Sequence, residues 1–329
     1  MKKLYSLLLA GVALASVGCN EYDYTFDEPV SERIATSLER YKAALRLSGT
    51  WVLEYFPGET LQYGGWVYIV EFQDDRFVKA WFEGSSLIPK APFASTPPLT
   101  VSEYQVEFST APMLKFNTHN DYLHYFAYPD GENGGYRGRE GDFEFILMSM
   151  TPAMDEIILR GSRTGNRMRM TPLSGEYTPD SYLAAVTGEQ VAVTQKDFRI
   201  MVDGRQIGTA ERKNTLLVPY LSYFDQFAAS KTWTLRYTYP RQAVGTDGNP
   251  LTDESGAPVM ETVEVLDRIC VIHLPDGEMK LYEPYLFRGD AVSGLGGESI
   301  GKFIWTLGET SAGDCYVAEG SKFDIRLIP

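Results

Sequence analysis

The chain has 329 residues, with 30 Lys and Arg against 44 Asp and Glu, a formal net charge of −14 at pH 7. No Lys/Arg cluster breaks this acidic balance, so a polyanion is repelled and nucleic acid is excluded as a partner. The length suits one large domain or two ordinary ones, and two is the expectation.

The amino end is the most informative stretch. Lys2 and Lys3, an apolar run from Leu7 to Val17 and the small residue Gly18 lead straight into Cys19. A cationic head, an apolar run too short to span a bilayer and a small residue before the cut describe a cleaved export signal. Residues 1–18 are therefore predicted as a lipoprotein signal peptide, with Cys19 as the lipidated first residue. Ser16 stands where the common lipobox has Leu, and ordinary cleavage nearby is the alternative. Loss of Lys2 and Lys3 leaves 28 bases against 44 acids, a net charge of −16. Residues 19–30 form an acidic tether through Asn20, Glu21, Asp23, Asp27 and Glu28. It reads as a solvated spacer, and it also resembles the surface-export signal of Bacteroidetes lipoproteins. That resemblance implies an outer-membrane, lipid-anchored protein facing the outside of the cell.

Ile34, Leu38, Tyr41 and Leu45 recur at helical spacing, which predicts a helix from Ser31, its N-cap, to Leu45. From Gly49 the period switches to two. Trp66 to Phe72, Arg76 to Phe82, Tyr104 to Phe108, Tyr122 to Ala127, Phe143 to Met148, Glu156 to Gly161 and Arg167 to Met170 read as strands, with turn chemistry at Asp74-Asp75, Asp130-Gly131 and Gly165-Asn166. So many short strands suggest an antiparallel meander, and a barrel closes its edges most economically. Residues 31–175 are thus a helix plus a β-barrel. Residues 176–194 read as a helical connector with Pro179 in its first turn. In 195–329, a second antiparallel β domain, strands are predicted at Phe198 to Val202, Leu216 to Tyr220, Trp233 to Tyr239, Thr262 to Leu274, Met279 to Tyr282, Phe303 to Leu307, Cys315 to Ala318 and Phe323 to Leu327. Asp203-Gly204 and Asp276-Gly277 signal hairpins, and Arg241 to Pro258 reads as a long, mobile hairpin loop. The fold class is mostly β.

Two resemblances bear on this reading. Gly141-Asp142-Phe143-Glu144-Phe145, with Ile158-Leu159-Arg160-Gly161-Ser162-Arg163-Thr164-Gly165-Asn166, resembles a family of Bacteroidetes lipoproteins built on a domain of unknown function. Members look like companions of SusC/SusD-type uptake systems, so the likeness implies an address and a possible transporter partner but no catalytic residue. Gly49-Thr50-Trp51 after a helix resembles lipocalin-like barrels, in which such an indole closes one end.

Chemistry-bearing residues are sparse. His119, Asp121 and His124 carry zinc-ligand types, but a spacing of five puts strand side chains on opposite faces, and a turn with two partly exposed histidines is expected. His273 sits in an apolar strand as a core or rim residue. Asp247, Asn249 and Asp253 lack the ligand order of an EF-hand. Ser162 is one place early for a nucleophile elbow. Gly294, Gly296 and Gly297 have no βαβ unit around them. Asp142 and Glu144 share a strand face, as two glycosidase carboxylates do, and are read as solvated. No cofactor or metal is implied. Cys270 and Cys315 lie in strand-like stretches in an oxidising compartment, so a disulfide between them is possible, with two separate buried thiols as the alternative. Aromatic residues gather in the first domain, among them Tyr63, Trp66, Trp81, Tyr122, Tyr125 and Tyr128. Such rings suit sugar faces or apolar ligands and equally pack β-proteins. Trp66, Trp81 and Tyr125 are the candidate ligand-binding residues. The expected function is a non-catalytic binding or accessory component of glycan or peptide capture, with a carboxylate- or metal-dependent hydrolase and a structural envelope protein as alternatives.

Overall fold

The computed structural model describes residues 28–91, 93–129, 138–193, 197–212, 231–308 and 313–329. The export signal, Cys19 and most of the tether lie outside these residues, as does the predicted strand Leu216 to Tyr220. Leu38–Pro329 forms one compact unit that holds all the sheet structure.

Helix α1 (Val30–Ser48) buries Tyr41, Ala44 and Leu45 in its last turns. Ser31 lies inside the helix rather than capping it, because the Pro29 carbonyl already accepts the amides of Glu32 and Arg33. The helix stops at Gly49, whose φ of 67° is a left-handed cap that favours glycine. The Trp51 indole donates to the Leu45 carbonyl at 3.1 Å and is fully buried, so the helix end and the first strand are tied by one side chain.

Barrel 1 is an antiparallel meander of β1 (Thr50–Tyr55), β2 (Trp66–Phe72), β3 (Phe77–Phe82), β4 (Val101–Phe108), β5 (Pro112–Phe116), β6 (Glu144–Met150), β7 (Ile157–Gly161) and β8 (Arg167–Pro172). It closes where β1 pairs β8, with Leu53 opposite Met170. Eight strands enclose just enough room for side chains, and aromatic rings fill it. Tyr68 stacks on Phe82 at 4.5 Å, and Tyr55 lies on Phe126 at 5.6 Å. The predicted strand Tyr122 to Ala127 is instead a run of turns, in which the His124 amide donates to Asn120 and the Ala127 amide to His124. Its rings recur every three or four residues, so coiling the chain buries Leu123, Tyr125 and Phe126 together.

Helix α2 (Pro179–Val193) starts at the expected proline, with the Thr178 hydroxyl accepting the Ser181 amide at 3.2 Å. Barrel 2 follows as β9 (Phe198–Val202), β10 (Arg205–Arg212), β11 (Thr232–Gln242), β12 (Met260–His273), β13 (Glu278–Leu286), β14 (Ser299–Thr306), β15 (Cys315–Ala318) and β16 (Ile325–Ile328). It too is antiparallel and closed, by β16 on β9. Both Asp-Gly turns have left-handed φ at each residue, as their hairpins require. The Arg241 to Pro258 stretch is a hairpin, in which bridges at Val244–Pro250 and Thr252–Pro258 continue the β11–β12 ribbon outward.

The two barrels meet at a buried charge. Lys231 is fully buried, and its ammonium donates to Glu83 Oε1 at 2.7 Å and to the Gly65 carbonyl at 2.8 Å, 4.6 Å from the centre of the Trp66 ring. The Gly65 amide in turn donates to the Val271 carbonyl at 2.9 Å. A Cβ on Gly64 would lie 2.1 Å from Lys231 Cβ, and one on Gly65 would lie 2.6 Å from Ile272 Cβ, so this approach needs two glycines. Ile272 and Leu274 of barrel 2 complete the apolar cluster of barrel 1. Outside it, Glu54 accepts from Arg169 of its own barrel at 2.9 Å and from Lys280 of the other at 2.7 Å. Burial pushes the Lys231 ammonium below its ordinary range, and the Glu83 charge opposes that shift.

Removing one member of such a pair strands the other. Lys231→Ala is expected to cost about 3–5 kcal/mol, whereas Lys231→Met combined with Glu83→Leu should fall within about 2 kcal/mol of wild type. Urea unfolding of the three proteins checks this.

Candidate functional site

The structure does not bring Trp66, Trp81 and Tyr125 together. Trp66 is fully buried, donates its indole N–H to the Tyr63 carbonyl at 2.9 Å and packs on Phe126 at 5.2 Å. Tyr125 is buried in the turns at 120–128, against Phe82 and beneath the Arg139 guanidinium at 5.4 Å. Trp81 alternates with inward-facing Ala80 and Phe82, so it stands half-buried on the outer wall with the Lys79 ammonium 4.3 Å over its ring. The predicted aromatic mouth is thus a packed interior and one outward ring.

The histidines and acids are committed to local structure. The buried Asp121 carboxylate accepts the amides of Ser95 at 3.2 Å and Leu99 at 2.5 Å and contacts His119 Nε2 at 2.9 Å, so its oxygens hold the 95–99 loop. His124 is buried rather than partly exposed, with its ring 4.8 Å from Phe143 and 5.9 Å from His119. Burial pushes its pKa down to about 4. His273 is fully buried, as expected. Among the described residues no group of His, Cys, Asp and Glu side chains is placed to hold a metal ion.

Asp142 is buried, not solvated, and does not face Glu144. Its carboxylate accepts the Arg163 amide at 2.6 Å and the Thr164 amide and hydroxyl at 3.2 and 2.5 Å, while Glu144 points at Lys115. A Cβ on Gly161 would strike that carboxylate at 2.2 Å. Asn166 completes the knot by donating to the Phe56 and Gly58 carbonyls at 2.9 and 2.8 Å. The segments 141–145 and 158–166 therefore fold as one polar staple between the β7–β8 turn and the end of β1.

Cys270 and Cys315 are free thiols. Cys270 alternates with inward Ile269 and Val271, so it faces barrel 1, where burial raises its pKa to about 12. Cys315 lies on β15 beside Thr306, with a sulfur-to-hydroxyl separation of 3.6 Å. Strand alternation turns each thiol to a different neighbour, and the possible disulfide is not formed.

An open site lies elsewhere. Strands β12 and β13 pair only at Val271–Leu281, Ile272–Lys280 and His273–Met279. Between Lys280 and Tyr285, β13 advances five residues while its partner β14 advances two, from Lys302 to Ile300. This bulge, which contains Pro284, swings β13 away from β12. The result is a cleft of about 380 Å³, lined by Asp267–Cys270 on one bank, Tyr282–Leu286 and Arg288 on the other, and Thr60 and Leu61 of barrel 1. Asp267 bridges the banks, accepting the Tyr285 hydroxyl at 3.0 Å and the Arg288 guanidinium at 2.9 Å. The interior of barrel 2 beside it has free space of only about 10 Å³, room for one water at most.

The family described as Domain of unknown function (DUF4302) matches residues 22–246. The chain belongs to this family. In this DUF4302 protein the match covers all of barrel 1 and β9 to β11, so the Thr60 side of the cleft lies inside it and the β12–β13 banks beyond it. No curated protein and no solved structure matches the chain.

Two outcomes follow for the committed groups. Asp142→Ala removes acceptors from three donors and should cost about 2–4 kcal/mol in thermal or urea unfolding, with Asp142→Asn losing less. His124 has a folded pKa of about 4 against 6.5 ordinarily. The unfolded chain therefore takes up the proton first on acidification, and stability falls from about pH 6.5 downward. Between pH 7 and 4.5 the wild type should lose about 2–3 kcal/mol more than His124→Gln in urea titrations.

Proposed function

We propose that this DUF4302 protein is an outer-membrane lipoprotein, anchored at the cell surface through Cys19, that serves as a non-catalytic binding or accessory component of nutrient capture. Its cargo is a glycan or a peptide passed to a SusC/SusD-type transporter complex. The single observation that carries the binding role is the cleft at the β12–β13 opening. Its volume falls within the range of ligand sites. Both barrel interiors are filled by their own side chains, so contact with a ligand falls to outer surfaces. The anchor rests on the sequence: a basic head, a short apolar run, Gly18-Cys19 and an acidic tether long enough to hold a domain off the lipid. The Bacteroidetes address and the transporter partner rest on the resemblance of Gly141 to Asn166 noted above.

Intact-mass analysis of membrane-extracted protein should find Cys19 acylated at the amino terminus. The same material, probed on glycan and peptide arrays, should bind at least one class. Leu286→Arg, which puts a charge on an exposed bank of the cleft, should weaken that binding by about tenfold or more, and Trp81→Ala should leave it unchanged. An unmodified Cys19 thiol in soluble material, or binding indifferent to Leu286→Arg, contradicts the proposal.

A further inference from the structure

We infer that the cleft takes an extended peptide, added as a strand along the free edge of β12. The inference deepens the binding role proposed above and rests on it. It starts from where the backbone groups of β12 point. Val271 directs its amide at Lys231 and Val259 accepts from Ala243, so the odd-numbered residues between them hydrogen-bond to the β11 side. Leu274 donates to Glu278 on the opposite side, so even-numbered residues face β13. Pairing on that side ends at Ile272. The N–H and C=O groups of Glu264, Leu266 and Arg268 therefore project from an edge with no ladder partner among the described residues. Each barrel is otherwise a closed ring of paired strands.

A free edge of this kind is complementary to an extended backbone, with alternate donors and acceptors at strand spacing. It is not complementary to a sugar ring, and the aromatic hydroxyls that line the cleft are already taken. The Tyr282 hydroxyl accepts the Arg167 amide at 2.8 Å while its ring packs on Phe56, and the Tyr285 hydroxyl is shared by Asp267 and Tyr237. Apolar contact is available beside the edge, because Leu266, next to the cleft on β12, is 58% exposed and Leu286, on the opposite bank, is 56% exposed. Backbone groups supply the affinity and these leucines a preference for apolar side chains. An edge left bare over this length also invites pairing with other chains; a site that receives a strand gives it a use.

The test pans a random dodecapeptide display library on the full-length protein and measures a selected synthetic peptide by fluorescence anisotropy. N-methylation of alternate residues along one edge of the peptide should weaken binding by about tenfold or more. The other alternate set should change it by less than about twofold, since only one edge meets β12. Leu266→Pro removes an N–H that no strand uses, so the barrel keeps its β11 pairing while peptide binding drops by about tenfold or more. Leu266→Ala separates the side chain from the backbone and should lose less. Equal losses from the two N-methyl sets overturn the inference, as does unchanged binding by a folded Leu266→Pro protein. Should Leu266→Pro not fold, the N-methyl series alone decides. If no peptide is selected while a glycan binds in a Leu286-dependent way, strand addition is wrong and the binding role stands. If neither class binds, both fail.

Discussion

A lysine ammonium taken out of water has to be neutralised where it sits, and Lys231 is neutralised by a carboxylate from the other barrel. Everything about how the two barrels meet follows from that requirement. Glu83 must be at the rim of barrel 1, the chain at Gly64-Gly65 must come within van der Waals reach of Lys231, and Ile272 must stand where the glycine side chains are missing. The Gly65 amide then joins the end of the β12 ladder, so barrel 1 continues the hydrogen bonding of barrel 2 across the junction. A surface pair at the same place would be screened and worth little. Buried, it works as a lock on relative position, because any displacement leaves an uncompensated charge.

The lock also explains why an open wall is tolerable. A closed barrel normally removes its edges, yet β12 and β13 part after three residue pairs. The parted end is the one that barrel 1 approaches, with Thr60 accepting the Arg268 guanidinium at 2.6 Å and Tyr282 held between Phe56 and the Arg167 amide. Barrel 1 therefore supports the strand ends that barrel 2 leaves unzipped. The cleft belongs to the pair of barrels rather than to either.

Much of this was legible in the sequence, and the exceptions have physical causes. Period-two alternation ended by the Asp203-Gly204 turn places β9 to the residue, since a turn with two left-handed positions has few alternatives. The polar strand β10 has no alternation to read, and Gly208 sits at its register shift. The Tyr122 to Ala127 run carries strand-type residues, but its rings fit a coil as well as a pleat, and burial in barrel 1 chooses the coil. The signal for the junction was present in Gly64-Gly65, a pair of glycines inside a strand-rich stretch that marks close backbone approach. The charge they accommodate was not, because Glu83 and Lys231 are 148 residues apart. Trp66 and Tyr125 are buried, and the sequence could not say so: an aromatic side chain reads the same whether it packs a core or meets a ligand. The cleft depends on a bulge at Pro284, and a proline within a strand was its only advance notice.

The central claim is that the two barrels are locked into one cooperative structure by the Lys231 junction. Native-state hydrogen exchange read by mass spectrometry across a urea series tests this most directly. The account predicts that the most protected amides of β2 in barrel 1 and of β9 in barrel 2 share one opening free energy and one urea dependence, as parts of a single unfolding unit. Two separate free energies with two smaller urea slopes would contradict it.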